Sequence, residues 1–181
     1  MRPRPTRQQL ADAVHRTVPD VIAPGLAVLF CGINPGLYTG ATGFHFAGPG
    51  NRFWPALHRS GFTPRLYAPH EVRDLLALGL GVTNVVPRTT ATAAELTPME
   101  IVEGARKLRA RVRRFRPRVL AILGVGAYRT GFARPRAVVG PQEETIGDTR
   151  VWVLPNPSGL NANYSIAALV AMFAELRAAV E

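Results

Sequence analysis

With 181 residues, of which 47% are apolar, the chain is long enough to form one domain with a sizeable core. A formal charge of +10 favours a polyanion such as nucleic acid as a partner, although Lys107 is the only lysine and an arginine bias can also follow genome composition. The sequence has no apolar run of membrane-spanning length, and its Arg- and Pro-rich start has no hydrophobic signal core.

Cysteine and histidine usage argues against disulfides and metal sites. Cys31 is the only cysteine, so it cannot form an internal disulfide. With only four histidines beside it, the chain lacks the ligand set of a zinc or iron–sulfur site. We therefore expect the protein to lie in the cytoplasm, which is a reducing compartment. We also expect it to work without a metal ion.

The first third of the chain is predicted to hold one strand and one helix after its N-terminal segment. Residues 3–19 form a short polar helix or a loose arm, and residues 26–33 are an unbroken apolar run typical of a buried parallel strand. A loop with many glycines and threonines follows over residues 36–50. Asn51 then suits the N-cap of a helix that carries Phe53.

Two helices and a strand are predicted in the middle of the chain. Pro69–Leu78 is expected to be helical, and residues 81–86 form the second strand. Residues 97–115 are the clearest helix, because Thr97 and Glu100 have the spacing of a capping box. The apolar residues of this helix recur with a 3.6-residue period.

The last third continues the alternation of strands and helices. Residues 118–123 are predicted as the third strand and residues 125–132 as a helix. A hairpin is expected over residues 138–149. Residues 151–154 are then the fourth strand, and residues 164–180 the closing helix.

This order of elements, without a repeat or a linker, predicts a single α/β domain. We expect three layers, α/β/α, around a mainly parallel four-stranded sheet. The domain covers residues 21–181, and residues 1–20 precede it as an arm or short helix.

Basic residues crowd the end of the helix at 97–115. Because this helix leads into a strand, its C-terminus should lie at the opposite edge of the sheet from the carboxyl ends of the strands. Positive side chains are favoured there by the helix dipole. We therefore interpret the cluster as a solvated face rather than the main nucleic-acid contact. Its members are Arg106, Lys107, Arg109, Arg111, Arg113, Arg114, Arg116 and Arg118.

Two Asn-Pro turns each follow a predicted strand. Asn34 precedes Pro35 and Asn156 precedes Pro157, and a residue before proline is pushed into an extended conformation. Both amides should therefore continue their strands just before the chain turns. The carboxyl ends of the strands are where open α/β sheets bind ligands, and two neutral amides there suit a base-like ligand.

An ordered set of motifs resembles the mismatch-specific uracil-DNA glycosylases, bacterial relatives of thymine-DNA glycosylase in the uracil-DNA glycosylase superfamily. The likeness runs from about residue 23 to the C-terminus. The matching segments are Gly32-Ile33-Asn34-Pro35-Gly36-Leu37, Thr42-Gly43-Phe44-His45-Phe46-Ala47, Asn51-Arg52-Phe53-Trp54, Gly81-Val82-Thr83, Ala121-Ile122-Leu123-Gly124 and Asn156-Pro157-Ser158-Gly159-Leu160.

The resemblance implies a base-excision repair enzyme with a three-layer α/β fold. Such an enzyme flips uracil out of mismatched double-stranded DNA such as G·U and hydrolyses the N-glycosidic bond, without a metal or cofactor. The resemblance leaves open whether thymine, other modified bases and single-stranded DNA are also substrates. It also implies a monomer that acts on DNA in the bacterial cytoplasm, away from membranes.

The resemblance also assigns roles to the two turns. Asn34 matches the amide that positions the attacking water, and Asn156 can donate a hydrogen bond to a base oxygen. Gly159, Leu160 and Asn161 match a wedge loop, in which Leu160 fills the gap left in the base stack. The alternative for Leu160 is a core residue of the helix that follows. Neither asparagine carries charge, so slow chemistry that depends on the leaving group is expected.

Further pocket residues follow from the same resemblance. Phe46 matches the aromatic ring that stacks on the flipped base, and Ile33 belongs to the same substrate pocket. Thr39 is expected close to where a C5 substituent of the base would lie, which leaves the acceptance of thymine open. Asn84 is hypothesised to face the pocket and to extend activity to uracil in A·U pairs and single strands, the alternative being a polar strand-end residue. His45 is expected at the surface, without a role.

Two other classes of protein compete with an excision enzyme. Leu123-Gly124-Val125-Gly126 superficially resembles a methyltransferase site, but a Gly-x-Gly is a weak signal and no acidic residue follows where a ribose would be held. A catalytically inert DNA- or nucleotide-binding module of the same fold is the stronger rival. The presence of Asn34, Phe46, Asn156 and Leu160 together argues against it.

Overall fold

A computed structural model describes residues 4–181 and shows a five-stranded sheet between helices. The order of strands across the sheet is β2-β1-β3-β5-β4. All neighbours are parallel except β4, which runs antiparallel to β5. In chain order the strands are β1 (Val28–Gly32), β2 (Leu80–Asn84), β3 (Val119–Leu123), β4 (Gly140–Ile146) and β5 (Thr149–Leu154).

The predicted three-layer architecture is confirmed, because the strands bury side chains on both faces. Alternate residues of β1 point to opposite sides, so that Phe30 packs with one group of helices and Leu29 with the other. The part of the chain that the structure describes contains six α-helices: α1 (Arg7–Ala11), α2 (Leu37–Thr42), α3 (Phe53–Arg59), α4 (Pro98–Phe115), α5 (Val125–Gly131) and α6 (Ile166–Val180). Helices α3 and α6 cover the Phe30 face, and α4 and α5 cover the Leu29 face.

The predicted count of four strands is one too few, because the hairpin uses the last strand itself. β4 pairs with β5 through Ile146 opposite Thr149 and Gly140 opposite Val153, around a turn with Gly147 at φ +61°. β4 lies at the edge of the sheet and its side chains alternate between exposed and half-buried. Its polar sequence therefore lacks the apolar run that marked the other strands.

Three local predictions need adjustment. The expected loop over residues 36–50 contains helix α2. Pro69–Leu78 is a 3-10 helix, and a second one spans Ala93–Glu95. Asn51 Oδ1 accepts a hydrogen bond from the Phe53 amide at 2.9 Å, although the residue that caps α3 is Arg52.

Helix α4 begins as predicted. The Thr97 hydroxyl accepts from the Glu100 amide at 3.2 Å, and the Glu100 carboxylate accepts from the Thr97 amide at 2.9 Å. These reciprocal bonds satisfy two amides that a helix start leaves without partners. The exposed arginines at the other end of α4 lie before β3, away from the strand ends that carry the Asn-Pro turns. They are Arg113, Arg114 and Arg116.

The N-terminal segment forms a short helix and then covers one edge of the sheet. Residues 1–3 of the predicted arm lie outside the described residues. α1 has its own capping box between Thr6 and Gln9. Further along, the Val21 amide donates to the Val82 carbonyl at 2.9 Å, and the Val82 amide donates back at 2.7 Å. The outer edge of β2 is therefore paired at this point.

Residues 4–181 contain neither a membrane-spanning helix nor a metal-binding cluster. None of the helices within residues 4–181 is both long and apolar enough to cross a membrane. Over the same residues, no group of three or more His, Cys, Asp or Glu side chains is arranged to hold a metal ion.

Candidate active site

A cavity of about 810 Å³ opens at the carboxyl ends of the parallel strands. Asn34 follows β1 by two residues, Asn84 ends β2, Leu123 ends β3 and Asn156 follows β5 by two residues. Parallel strands bring these positions to one edge of the sheet. The cavity lining includes every residue that the sequence placed in the site: Ile33, Asn34, Thr39, Phe46, Asn84, Asn156, Gly159, Leu160 and Asn161.

The amide of Asn34 is held by its nitrogen. Nδ2 donates to the carbonyls of Pro35 at 3.2 Å and Arg88 at 3.1 Å, and to the Thr90 hydroxyl at 2.7 Å. Two of these partners are carbonyl oxygens, which can only accept. A 180° flip of the Asn34 amide would place Oδ1 against these carbonyl oxygens, so the orientation of the amide is fixed. The Thr90 hydroxyl gives its own proton to the Thr92 carbonyl at 2.7 Å.

The result is an oriented acceptor at the cavity. Asn34 Oδ1 has no hydrogen-bond partner among residues 4–181, and it is not sealed from solvent. An amide oxygen in this position can accept a hydrogen bond from a water molecule and aim it. It cannot remove the proton from that water as a strong base would.

Asn156 is arranged with the opposite polarity. Its Oδ1 accepts from the Ser158 amide at 3.0 Å, which closes the turn around Pro157. The Asn156 Nδ2 has no acceptor among residues 4–181, so the donor side of this amide remains for a ligand. The two asparagines thus offer the cavity one acceptor and one donor.

An aromatic wall completes the cavity. Phe46 stacks on the buried ring of Phe53 with centroids 4.0 Å apart and 24° between the planes. Its own ring is only half-buried and lines the cavity. Thr39 lies on α2 with its hydroxyl accepting from the Ala47 amide at 3.4 Å, which ties α2 to the aromatic segment.

The expectation that His45 lies at the surface is wrong. The residue is 2% exposed, and its Nε2 lies 2.9 Å from the carbonyl of Pro19. Since a carbonyl only accepts, Nε2 carries the proton and Nδ1 is left with a lone pair. Burial lowers the pKa of His45, against the opposing effect of the Pro19 hydrogen bond, so a neutral imidazole is favoured.

The histidine faces the amide of Asn84. His45 Nδ1 lies 3.5 Å from Asn84 Nδ2, while the Asn84 Oδ1 has no partner among the described residues. That oxygen lies beside Gly32, where an added Cβ would come within 2.6 Å of it. Glycine at position 32 therefore leaves room for the Asn84 amide at the cavity floor.

Leu160 stands at the rim of the cavity. Leu160 is 85% exposed, and α6 begins only at Ile166. The alternative that Leu160 is a core residue of the following helix is therefore wrong. Neighbouring Gly159 lies against another loop, because an added Cβ would come within 2.7 Å of the Gly50 carbonyl. The Asn161 side chain donates to the Asn156 carbonyl at 3.0 Å and so braces the loop from within.

Sequence reasoning missed the residue that holds this loop in place. Arg52 donates from its guanidinium to the carbonyls of Ser158 and Asn161, each at 2.8 Å, and also to the carbonyl of Tyr164. Its main-chain amide donates to the Pro157 carbonyl at 2.9 Å. Arg52 belongs to a matched motif, but nothing local in the sequence indicates partners more than 100 residues away.

The cavity itself is neutral. Its lining includes no Asp, Glu, Lys or Arg among the described residues, and Tyr38 and His45 are its ionisable members. The cavity therefore offers a ligand aligned dipoles rather than a charged acid or base. Lys107, the only lysine, lies on α4 and is not part of the lining.

Two comparisons with known proteins bear on this arrangement. The family model described as the Uracil DNA glycosylase superfamily matches residues 19–179. A solution NMR structure of a proposed uracil DNA glycosylase from Methanosarcina acetivorans is similar with a TM-score of 0.54 and 20% sequence identity. That similarity covers 91% of this chain and 99% of the other. At such low identity it is evidence for a shared fold, whereas the family match spans nearly the whole sequence.

Proposed function

Because the chain belongs to the uracil DNA glycosylase superfamily, we propose that it is a monofunctional, mismatch-specific DNA glycosylase that excises uracil from pairs such as G·U and leaves an abasic site. One observation carries the proposal. The acceptor of Asn34 and the donor of Asn156 meet at one neutral cavity, with exposed Leu160 at its rim. A cavity without lysine also favours hydrolysis over chemistry through a covalent amine adduct.

The first step is removal of the base from the stack. Flipping a nucleotide costs a few kcal/mol, and a mismatched pair costs less to open than a matched one. Leu160 can occupy the space left in the duplex, since an apolar wedge compensates part of the lost stacking. Phe46 offers the flipped base a new stacking surface, worth roughly 1–3 kcal/mol.

The second step is cleavage of the N-glycosidic bond. The C1′–N1 bond breaks with its electron pair left on uracil, and a water oriented by Asn34 Oδ1 bonds to the electron-poor C1′. The water loses its proton to solvent, because an amide does not take it up. Asn156 Nδ2 donates to a base oxygen on which negative charge develops.

This mechanism predicts that the excision rate follows the stability of the departing base anion. With only a neutral donor to stabilise that anion, 5-fluorouracil should leave faster than uracil, and thymine more slowly. Single-turnover rates on otherwise identical G·X duplexes measure the trend. Equal rates for the three bases would mean that bond cleavage is not the step that Asn34 and Asn156 assist.

A labelled duplex tests the function directly. A G·U duplex labelled on the uracil strand is incubated with the protein and then heated in alkali, which cuts the strand at an abasic site. Cleavage at the uracil position is expected, and none on a G·C control. Binding without cleavage would instead favour an inert DNA-binding module of the same fold.

Asn84 is proposed to broaden the substrate range of this site. Its free Oδ1 at the cavity floor can accept a hydrogen bond from uracil N3. This bond would hold the flipped uracil even when uracil does not come from a mismatched base pair. Asn84→Ala should therefore lower excision from A·U duplexes and single strands more than from G·U. An equal loss on all three DNAs, or no loss, would contradict this role.

A further inference from the structure

Arg52 connects a buried helix to the loop that carries Leu160. It occupies the N-cap position of α3, whose residues Phe53 and Leu57 are fully buried against the sheet. From this fixed position its guanidinium reaches the carbonyls of Ser158, Asn161 and Tyr164. The bonded carbonyls lie on both sides of Leu160, so a single side chain holds the two flanks of the exposed tip.

The charge of this guanidinium is not neutralised by an acid. No Asp or Glu within residues 4–181 forms an ion pair with Arg52, and its Nε is buried without a hydrogen-bond partner. A buried donor without a partner costs free energy, so the arrangement is not the most stable one for closing a surface loop. The planar fork instead suits the positioning of several carbonyls at once.

We propose that Arg52 is a positioning residue that keeps the loop rigid enough for Leu160 to enter the base stack. This inference rests on the proposed function and extends it to a residue outside the cavity lining. A side chain can push a base out only if its own backbone does not yield. Because three carbonyls of the loop are bonded to Arg52, the loop is already ordered before DNA binds. It therefore loses less conformational entropy when it contacts DNA.

A rigid loop is needed to insert Leu160 into duplex DNA. It is needed much less when the uracil is already unpaired. Arg52→Lys keeps the positive charge but loses the fork, since lysine has a single ammonium group. We expect it to lower the single-turnover rate on a G·U duplex roughly tenfold or more, and the rate on the same uracil strand without its complement by at most about threefold. Both rates are measured on one preparation, so the fraction of folded protein cancels in their ratio.

A control and a double variant separate positioning from general destabilisation. Arg150→Lys is the matched control, because Arg150 donates to the Ala179 carbonyl at 2.8 Å on a surface away from the cavity. It should change neither rate. On the duplex, Arg52→Lys should add little to the defect of Leu160→Ala, because both changes remove the same wedge action.

Base opening can be followed without cleavage. In an Asn34→Ala background, 2-aminopurine next to the uracil should brighten on binding, and less so when Arg52→Lys is added. Equal losses on duplex and single strand, additivity with Leu160→Ala, or unchanged fluorescence would each overturn the proposal. If the wild-type protein releases uracil from neither DNA, the proposed function fails, and the fluorescence experiment still decides the role of Arg52.

Discussion

Replacing Asn34 with alanine is expected to lower uracil release from a G·U duplex by roughly 100- to 1000-fold, the usual loss when a preorganised polar group is removed. DNA affinity should hardly change, because Leu160 and the rest of the cavity are untouched. Single-turnover cleavage measures the first quantity, and fluorescence anisotropy with labelled duplex measures the second. Loss of binding in parallel with activity would mean that the substitution disturbed the fold.

A matched control and a second substitution sharpen this test. Gln142 also donates its amide to two backbone carbonyls, at 2.9 Å each, but it lies on the edge strand β4. Gln142→Ala should leave excision unchanged. Asn34→Asp should be inactive as well, because the new carboxylate oxygen would face the Pro35 and Arg88 carbonyls instead of donating to them.

Replacing Asn156 is expected to have the second largest effect. Asn156→Ala should slow excision by roughly 100-fold, since it removes a donor aimed at the charge that develops on the base. Asn156→Asp should be slower still. Its carboxylate can accept from the Ser158 amide as the native Oδ1 does, so the turn is kept while the donor is replaced by a negative charge.

The pair of variants distinguishes the donor from the turn. If Asn156 only closed the turn, Asp would restore the activity that Ala loses, and the order of the two rates would be reversed. Measuring both variants with 5-fluorouracil gives a second criterion. A better leaving group needs less help from the donor, so the loss in Asn156→Ala should be smaller with that base than with uracil.

The parts of the fold that sequence reasoning predicted well are those with a local signal. The apolar run at 26–33 marked β1, and the capping box marked the start of α4. The rule that parallel strands end at one edge then brought Asn34 and Asn156 to the same cavity. None of these steps required knowledge of contacts between distant segments.

The missed features depend on distant contacts. His45 is buried because the Pro19 carbonyl, 26 residues earlier, offers its ring a partner, and a short Gly/Phe segment contains no sign of that. The partners of Arg52 lie 106 to 112 residues away. β4 was expected only within a separate hairpin over residues 138–149, and its place in the main sheet was not predicted, since an edge strand needs no continuous apolar run.

Both edges of the sheet carry features that hinder the addition of a further strand. On one side the N-terminal segment pairs with β2 through Val21, and on the other β4 presents Pro141 and the charged Glu143. An open edge is a template on which a second copy can add its own strand and begin to aggregate. A basic protein that accumulates on a polyanion reaches high local concentrations. The bridge at Val21 and the exposed Pro141 and Glu143 of β4 therefore disfavour strand addition by a second copy of this chain.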